Sequence, residues 1–233
     1  MEKKAETRRS SRITKRLKQI ELSIGRGRMP SYKNGFIIKK AENAGEMEGV
    51  HRLTHDTYFE QEYIDRQPGG KLIHYPHLEN IPETTVLIAV SEGRIIGTNS
   101  LTLDGPAGLH VDKDFKEQCD RIRLEGRSLA ASWRIATRSG CRSERKVVLG
   151  LIQKTVDEAV ACGIETMVFT FNPRHERIYR RLLNMRTVAR SEGSAGLNNA
   201  PAVFMRLDRE DLPEQWLKKT GRDTAKETVS AVS

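Results

Sequence analysis

The feature that most constrains the fold is a strand followed at once by a helix in residues 164–185. The run IETMVFTF (164–171) has the β-branched and aromatic composition of a buried strand. Asn172 and Pro173 then end the strand, and PRHERIYRRLL predicts a helix whose first turn contains the proline, where a missing N–H costs nothing. A buried strand that leads directly into a helix is typical of an α/β fold.

The elements before this strand alternate in the same way. FIIKKAEN predicts a strand and EMEGVHRLTHDTYFEQEYI a helix, and two β-rich runs around Glu92-Gly93 predict a hairpin. A helix capped by Asp112 and a strand in the second half of SLAASWRIATR should come next. The next segment, KVVLGLIQKTVDEAVACG, has apolar residues on one helical face and predicts a helix. Gly163 is well placed to end that helix.

Two features complete the organisation of this domain. MRTVARSEG and PAVFMRLD predict two closing strands, so the order of elements indicates an α/β fold with a mixed sheet. Residues 64–83 are rich in proline, glycine and histidine and predict a long loop. Loops of that length inside a compact domain tend to be functional or mobile.

The loop RSGCRSERK (138–146) precedes the helix of a strand–helix–strand crossover, which should be right-handed. The N-terminus of that helix presents unpaired backbone N–H groups, which favour phosphate. The candidate phosphate-binding residues are Arg138, Gly140, Arg142, Ser143 and Arg145. The loop matches neither the P-loop nor the GxGxxG pattern, so the phosphate signal is weak. A basic loop that is merely solvated accounts equally well for these residues.

The positive charge of the chain lies in its N-terminal arm. Residues 1–40 contain thirteen basic and three acidic side chains, whereas the rest contains 27 basic and 28 acidic ones. Ile13, Leu17, Ile20 and Ile24 recur at helical spacing, so the arm can form a basic amphipathic helix. Such a helix suits an anionic membrane surface, nucleic acid or an acidic protein, or it packs on its own domain. We therefore divide the chain into an arm (1–34), a domain (35–210) and a polar tail (211–233).

Composition excludes several classes of protein. No apolar run approaches the roughly 20 residues that span a bilayer, and the charged N-terminus is unlike a signal peptide, so we expect a cytoplasmic protein with peripheral membrane contact at most. Three cysteines without CxxC spacing argue against disulfides and thiolate metal sites. His51 and His55 can share a helical face, but no third ligand is evident and we predict no metal site.

The segment NPRHERIYRRLLNM resembles a motif of the GNAT N-acyltransferases, in which Asn172 and Tyr179 match the spacing of a conserved asparagine and tyrosine. The doubled leucine at 182–183 is more similar to one branch, the long-chain N-acyl amino acid synthases of the FeeM type, which are related to acyl-homoserine lactone synthases. The resemblance covers roughly residues 36–208. It implies a mostly antiparallel twisted sheet of about seven strands, flanked by helices, with a splayed central strand pair.

The resemblance also implies a mechanism. The splayed strands hold an acyl thioester, a strand N–H polarises its carbonyl, and an amine attacks it. Tyr179 is then the candidate acid for the thiolate, since a phenol can protonate a thiolate within hydrogen-bond reach. Thr170 and Asn172 lie where the family's pantetheine arm runs and can bond its amides. Each of these residues also fits an ordinary packing or strand-end role.

Arg134 falls where this branch has an arginine near the centre of the fold. It can bind a substrate carboxylate through a bidentate pair, or it can point to solvent as alternate residues of a strand do. The family's Glu-x-Ser-Arg motif is altered here, because its glutamate position is Ala131 and its serine position is Trp133. Three residues can replace the missing carboxylate, and the sequence does not select among them: Glu125, Asp104 or His175.

These observations lead to one preferred function and two alternatives. The resemblance implies transfer of a long-chain acyl group from an acyl carrier protein to an amino acid or similar amine, with the acyl-phosphopantetheine thioester as co-substrate and no tightly bound cofactor. Arginine clusters at 138–146 and 174–190 suit an acidic carrier protein, and nucleic acid is a less fitting partner. The alternatives are an acyl-CoA-dependent N-acetyltransferase and an inactive domain with a binding arm.

Overall fold

The computed structural model describes residues 35–140, 144–194, 198 and 200–217. The predicted arm helix, Arg142 and Ser143 lie outside these residues. Seven strands form one sheet: β1 (Ile37–Lys40), β2 (Thr84–Ser91), β3 (Arg94–Leu103), β4 (Leu129–Thr137), β5 (Thr166–Phe171), β6 (Arg186–Ser194) and β7 (Ala200–Asp208).

Helices cover both faces of the sheet. They are α1 (Ala44–Glu60), α2 (Pro76–Glu79), α3 (Asp112–Leu124), α4 (Glu144–Ala161), α5 (Glu176–Leu183) and α6 (Glu214–Leu217). Three 3₁₀ turns lie between them, at Pro68–Gly70, Pro173–His175 and Arg209–Asp211. No helix in the described part of the chain has both the length and the apolar composition that a membrane span requires.

The strands are ordered β1-β2-β3-β4-β5-β7-β6. Each neighbouring pair is antiparallel except β4 and β5, which run parallel and are joined by the crossover helix α4. This arrangement confirms the predicted fold class, a mixed and mostly antiparallel sheet of about seven strands flanked by helices.

Alternating residues of each strand divide the core between the two faces. On the first face, Leu129, Ala131 and Val168 pack with α3, and Val86 and Ile88 pack with Val50 of α1. On the second face, buried side chains of β3, β4 and β5 pack with α4 and α5. The sheet is therefore the middle of three layers, with α1 and α3 on one side and α4 and α5 on the other.

Two predicted turns are confirmed by the backbone. Glu92 and Gly93 have φ of 49° and 72°, the left-handed conformations that a two-residue hairpin turn needs. Gly163 has φ of 73° and follows the end of α4. Its lack of a Cβ removes the steric cost of that conformation, which is why the helix stops there.

Two details of the sequence prediction were wrong. β4 begins at Leu129 and not in the second half of its segment, because Ala130 and Ala131 pair with both neighbouring strands and tertiary pairing overrides their weak β-propensity. Asp112 does not cap α3 from the N-cap position, which Val111 occupies without a side-chain bond. Its carboxylate instead accepts from Leu109 N at 2.8 Å and binds Arg123.

The packed chain continues beyond the last strand. Leu212 and Trp216 belong to the core of the second face, although the sequence places both in the polar tail. Trp216 is fully buried, and its Nε1 donates to Leu182 O at 3.1 Å. The segment therefore secures the C-terminal end of α5.

Candidate functional site

A gap opens between the two parallel strands at the centre of the sheet. The ladder between β4 and β5 ends at the pair Ser132 and Phe169. β4 nevertheless continues to Thr137 along β3, and β5 continues to Phe171 along β7. The edge of β4 beyond Ser132 is thus not paired with β5, and this is the splayed central pair that the sequence resemblance implied.

A β-bulge marks the place where the strands separate. Arg134 has φ of 60°, and the register between β3 and β4 shifts between Thr98 and Ser100. Two consecutive side chains, Trp133 and Arg134, therefore point to the first face. The guanidinium of Arg134 lies 4.5 Å from the Trp133 ring. Left-handed conformation at a non-glycine residue is uncommon and is concentrated at functional sites.

A cavity passes through this gap and has walls on both faces of the sheet. It encloses about 1180 Å³ of space, open solvent at its mouth included. On the first face its wall, called here the polar half, consists of Tyr58, His74, Tyr75, His110, Trp133 and Arg134. On the second face its wall, called here the apolar half, consists of Ile152, Val156, Met167, Phe169, Phe171 and Leu183.

A buried ion pair forms the base of the polar half. Arg134 is 2% exposed, and it donates from Nη1 to Oε1 of Glu79 and from Nε and Nη2 to Ser100 Oγ at 3.1 and 3.0 Å. His51 Nε2 lies 2.7 Å from the other Glu79 oxygen. Burial lowers the pKa of Arg134, and the Glu79 carboxylate opposes that shift. A carboxylate of this chain therefore already contacts the arginine predicted to bind a substrate carboxylate.

Aromatic rings line the rest of the polar half. His74 stacks on Tyr75 at 4.1 Å, and the Tyr75 ring lies 5.3 Å from Trp133 and 5.5 Å from His110. Burial lowers the pKa of His74 to about 4 and that of His110 to about 3, so both imidazoles are neutral. Burial also raises the pKa of Tyr75 to about 12. These rings are thus uncharged and lie above one compensated ion pair, and Asp114 also lines the cavity.

Tyr179 adjoins the apolar half and lines the cavity. It is 9% exposed, and its ring stacks on Phe171 at 3.9 Å. Burial raises the pKa of its hydroxyl, which therefore stays protonated at physiological pH. Three polar groups on this side, Asn99, Ser132 and Thr155, satisfy one another: Asn99 Nδ2 donates to Ser132 Oγ at 3.0 Å and to Thr155 Oγ1 at 2.7 Å.

Thr170 and Asn172 lie at the end of β5 and line the cavity, as does His175. The Asn172 side chain accepts from Arg174 N at 3.2 Å and so caps the following turn. Thr170 Oγ1 lies 3.4 Å from His110 Nε2. Burial lowers the pKa of His175 to about 4.

Other residues selected from the sequence lie outside the cavity wall. Arg138, Gly140 and Arg145 are exposed around the start of α4. Two of the three candidates for the missing carboxylate are held in ion pairs elsewhere: Asp104 binds Arg123, and Glu125 binds Arg206. Neither lines the cavity, whereas His175 does.

Sequence reasoning missed Glu79, His74 and His110. The first two lie in the 64–83 loop, whose length and composition indicated function without selecting a residue. Within the described residues no group of three His, Cys, Asp or Glu side chains is placed to hold a metal ion. His51 and His55 instead face the loop, where His51 contacts Glu79 and His55 accepts from Gln67 N at 3.1 Å.

Known proteins similar to this chain share its fold. The structure of FeeM, an N-acyl amino acid synthase from uncultured soil microbes, matches with a TM-score of 0.64 and 21% identity over 74% of this chain and 90% of that chain. A CoA-dependent acyl-homoserine lactone synthase, BjaI, matches with a TM-score of 0.57 and 14% identity over 81% and 91%. The acyl-homoserine lactone synthase LasI matches with a TM-score of 0.52 and 16% identity over 74% and 89%.

Sequence comparison places the chain within a family. None of the curated proteins compared with the chain matched it. The model of the FeeM N-acyl amino acid synthases, however, matches residues 49–208, a span that contains β2 to β7 and both halves of the cavity. The chain therefore belongs to the FeeM family of N-acyl amino acid synthases and is an N-acyltransferase with a GNAT-like fold.

Proposed function

We propose that this enzyme transfers a long-chain acyl group from an acyl carrier protein to the amino group of an amino acid or similar small amine. The observation that carries the proposal is the cavity that crosses the sheet at the gap between β4 and β5. Its apolar half can bury an alkyl chain, at about 0.8 kcal/mol for each CH₂ removed from water. Its polar half can receive the amine.

The thioester belongs at the gap itself. Beyond Ser132 the edge of β4 is not paired with β5, so its backbone N–H groups are available to polarise a thioester carbonyl. Thr170 and Asn172, at the end of β5, are placed to bond the amides of the pantetheine arm. The phosphate would lie towards Arg138, Gly140, Arg142, Ser143 and Arg145, at the start of α4.

Tyr179 is the proposed acid for the departing thiolate. Its hydroxyl keeps its proton because burial raises its pKa, and a proton donor must hold a proton. The same shift makes it a weaker acid than a free phenol, so its contribution depends on a short hydrogen bond to sulfur. The protein's own residues thus polarise the carbonyl and protonate the leaving group.

Arg134 has a positioning role in this proposal. Its contact with Glu79 attaches α2, and therefore the 64–83 loop, to the centre of the sheet. Guanidinium N–H groups not used by Glu79 and Ser100 can donate to a substrate carboxylate at the cavity wall. An amino acid acceptor would then be oriented by its carboxylate.

An acidic carrier protein suits the surface near the cavity. Arg177, Arg180 and Arg181 of α5 are exposed, as are Arg138 and Arg145 at the start of α4. Basic patches accelerate encounter with acidic partners. The basic arm (1–34) would add contact with an anionic membrane surface.

Mass spectrometry tests the proposal directly. Purified protein would be incubated with an amino acid panel and with hexadecanoyl or acetyl groups, each carried either by acyl carrier protein or by CoA. We expect N-hexadecanoyl amino acids with the carrier-protein donor, and a loss of roughly 100-fold or more in Tyr179→Phe, within the range for one acid–base group. If product forms only with acetyl-CoA, the proposal is overturned. If hexadecanoyl-CoA and the hexadecanoyl carrier protein give equal rates, the acyl carrier protein is not the specific donor.

A further inference from the structure

Two histidines in the polar half have ring nitrogens that no described residue satisfies. Both nitrogens of His74 and Nδ1 of His110 are buried and have no hydrogen-bond partner within residues 35–140, 144–194, 198 and 200–217. A buried polar group without a partner costs about 1–3 kcal/mol, so its presence in a native fold calls for an explanation. His74 and His110 both line the cavity, which makes a substrate the natural partner.

His110 lies across the gap between the splayed strands. Its ring is 5.9 Å from that of Trp133 on β4, and its Nε2 is 3.4 Å from Thr170 Oγ1 on β5. His74 lies farther from the gap, between Tyr58 and Tyr75. Of the two histidines, His110 is therefore the one beside the proposed thioester position.

The contact with Thr170 can select the tautomer that catalysis needs. If Nε2–H donates to Thr170 Oγ1, Nδ1 carries the lone pair, and that is the nitrogen without a protein partner. This chain also lacks the glutamate of the family motif, having Ala131 at that position. Ala131 supplies no proton acceptor, whereas His110, which lines the cavity, offers one.

We propose that His110 is the general base of the reaction and that Thr170 positions it. The amine nitrogen attacks the thioester carbon, and the C–N bond forms as that nitrogen passes a proton to Nδ1 of His110. The C–S bond then breaks, and the thiolate takes its proton from Tyr179. His110 then releases its added proton to the medium and Tyr179 takes one from the medium, so both side chains return to their starting states. For an acceptor that enters as an ammonium ion, one further proton is released to the medium before attack. This inference rests on the proposed amine acylation.

The surroundings of His110 keep its ring neutral until the amine nitrogen attacks the thioester. His74 and Tyr75 face it from the 64–83 loop, Trp133 from β4 and Thr170 from β5. Burial is the main cause of its low pKa. The Asp112 carboxylate, at the start of α3, acts in the opposite direction and raises the pKa of His110. A weak neutral base suits proton removal from the tetrahedral adduct, whose positively charged nitrogen is far more acidic than the free ammonium ion.

Comparison of two acceptors tests the proposal. One is the preferred amino acid and the other is the matching aminooxy acid, whose weakly basic nitrogen forms a far more acidic adduct that loses its proton without the help of a base. For His110→Gln we expect kcat to fall roughly 100-fold with the amino acid and less than about 10-fold with the aminooxy acid, because general bases contribute about 10²–10⁴-fold. Exposed His77→Gln is the matched control and should change neither rate.

Other outcomes of the His110→Gln experiment would contradict one of the two proposals. Equal losses of kcat with both acceptors would overturn the general-base role and leave His110 a packing role. Wild-type protein that acylates no amine would instead contradict the proposed function. If His110→Gln does not fold, Thr170→Val is compared with Thr170→Ser, which keeps the hydroxyl. We expect only Thr170→Val to lose more kcat with the amino acid than with the aminooxy acid. Equal rates in the two variants would overturn the proposal that Thr170 positions His110.

Discussion

The polar and apolar halves of the cavity are walls of one space, but different interactions hold their side chains. In the apolar half, residues such as Val156 and Leu183 are fixed by packing between α4, α5 and the sheet. In the polar half, Arg134 and Glu79 are fixed by a buried ion pair, and three ring nitrogens of His74 and His110 have no hydrogen-bond partner within the described residues. Acyl binding can therefore tolerate gradual change in volume, whereas the polar half depends on a few specific contacts.

The largest expected effect comes from removing one partner of the buried ion pair. Glu79→Gln leaves Arg134 as an uncompensated buried charge, which should lower the free energy of unfolding by about 3–5 kcal/mol. Urea denaturation measures this change. The double variant Glu79→Gln with Arg134→Met should lose less than the sum of the single changes, because the unpaired charge is gone.

The matched control is Glu48, an exposed glutamate paired with Arg52 and Lys71. Glu48→Gln should leave the stability nearly unchanged, because solvent already screens that pair. A loss at Glu79 no larger than the one at Glu48 would contradict the view that the ion pair organises the polar half.

Acid should destabilise the fold through its buried histidines. The pKa values of His74, His110 and His175 are lowered to about 4, 3 and 4, below the value near 6.5 of an unfolded chain. The unfolded chain therefore binds more protons between about pH 6.5 and 4, and stability falls as the pH falls through that window. We expect a loss of roughly 1 kcal/mol for each histidine between pH 6.5 and 5.5, or about 3 kcal/mol together.

Urea denaturation across this pH range measures the effect. His74→Phe should reduce the pH dependence by about one third, because one of three titrating groups is removed. His77→Phe, at an exposed position of α2, should not change it. An unchanged slope in His74→Phe would mean that His74 is protonated in the folded protein.

A smaller change should shorten the acyl chain that the apolar half accepts. Val156 is 1% exposed and lines the cavity, so Val156→Phe fills space that two or three methylene groups of a long chain would occupy. We expect the preference for hexadecanoyl over octanoyl donors to fall by about 2 kcal/mol, or roughly 30-fold in the ratio of kcat/KM.

Val160 provides the control for this volume change. It lies one turn later on α4, packs against the same core and is not part of the cavity wall. Val160→Phe should therefore cost stability without changing the chain-length preference. If both variants shift the preference equally, the alkyl chain is not held where the apolar half lies.

Local patterns in the sequence were enough to predict the order of the seven strands and the long helices, the fold class and the family. Such features depend on neighbouring residues alone and can therefore be predicted from the sequence. They include the strand and helix periodicity, the turn at Glu92-Gly93 and the end of the helix before Gly163. The motif residues Asn172 and Tyr179 could also be found from the sequence, because their spacing at the start of one helix is a local pattern.

The assembly of the site, by contrast, depends on tertiary contacts. The β-bulge that turns Arg134 to the first face depends on pairing with β3, and no local signal reports that register. Glu79 reaches Arg134 across 55 positions of sequence, and His110 reaches Thr170 across 60. Contacts between distant segments follow from packing of the whole sheet and its helices, so a linear sequence can name the chemistry of these residues but not their partners.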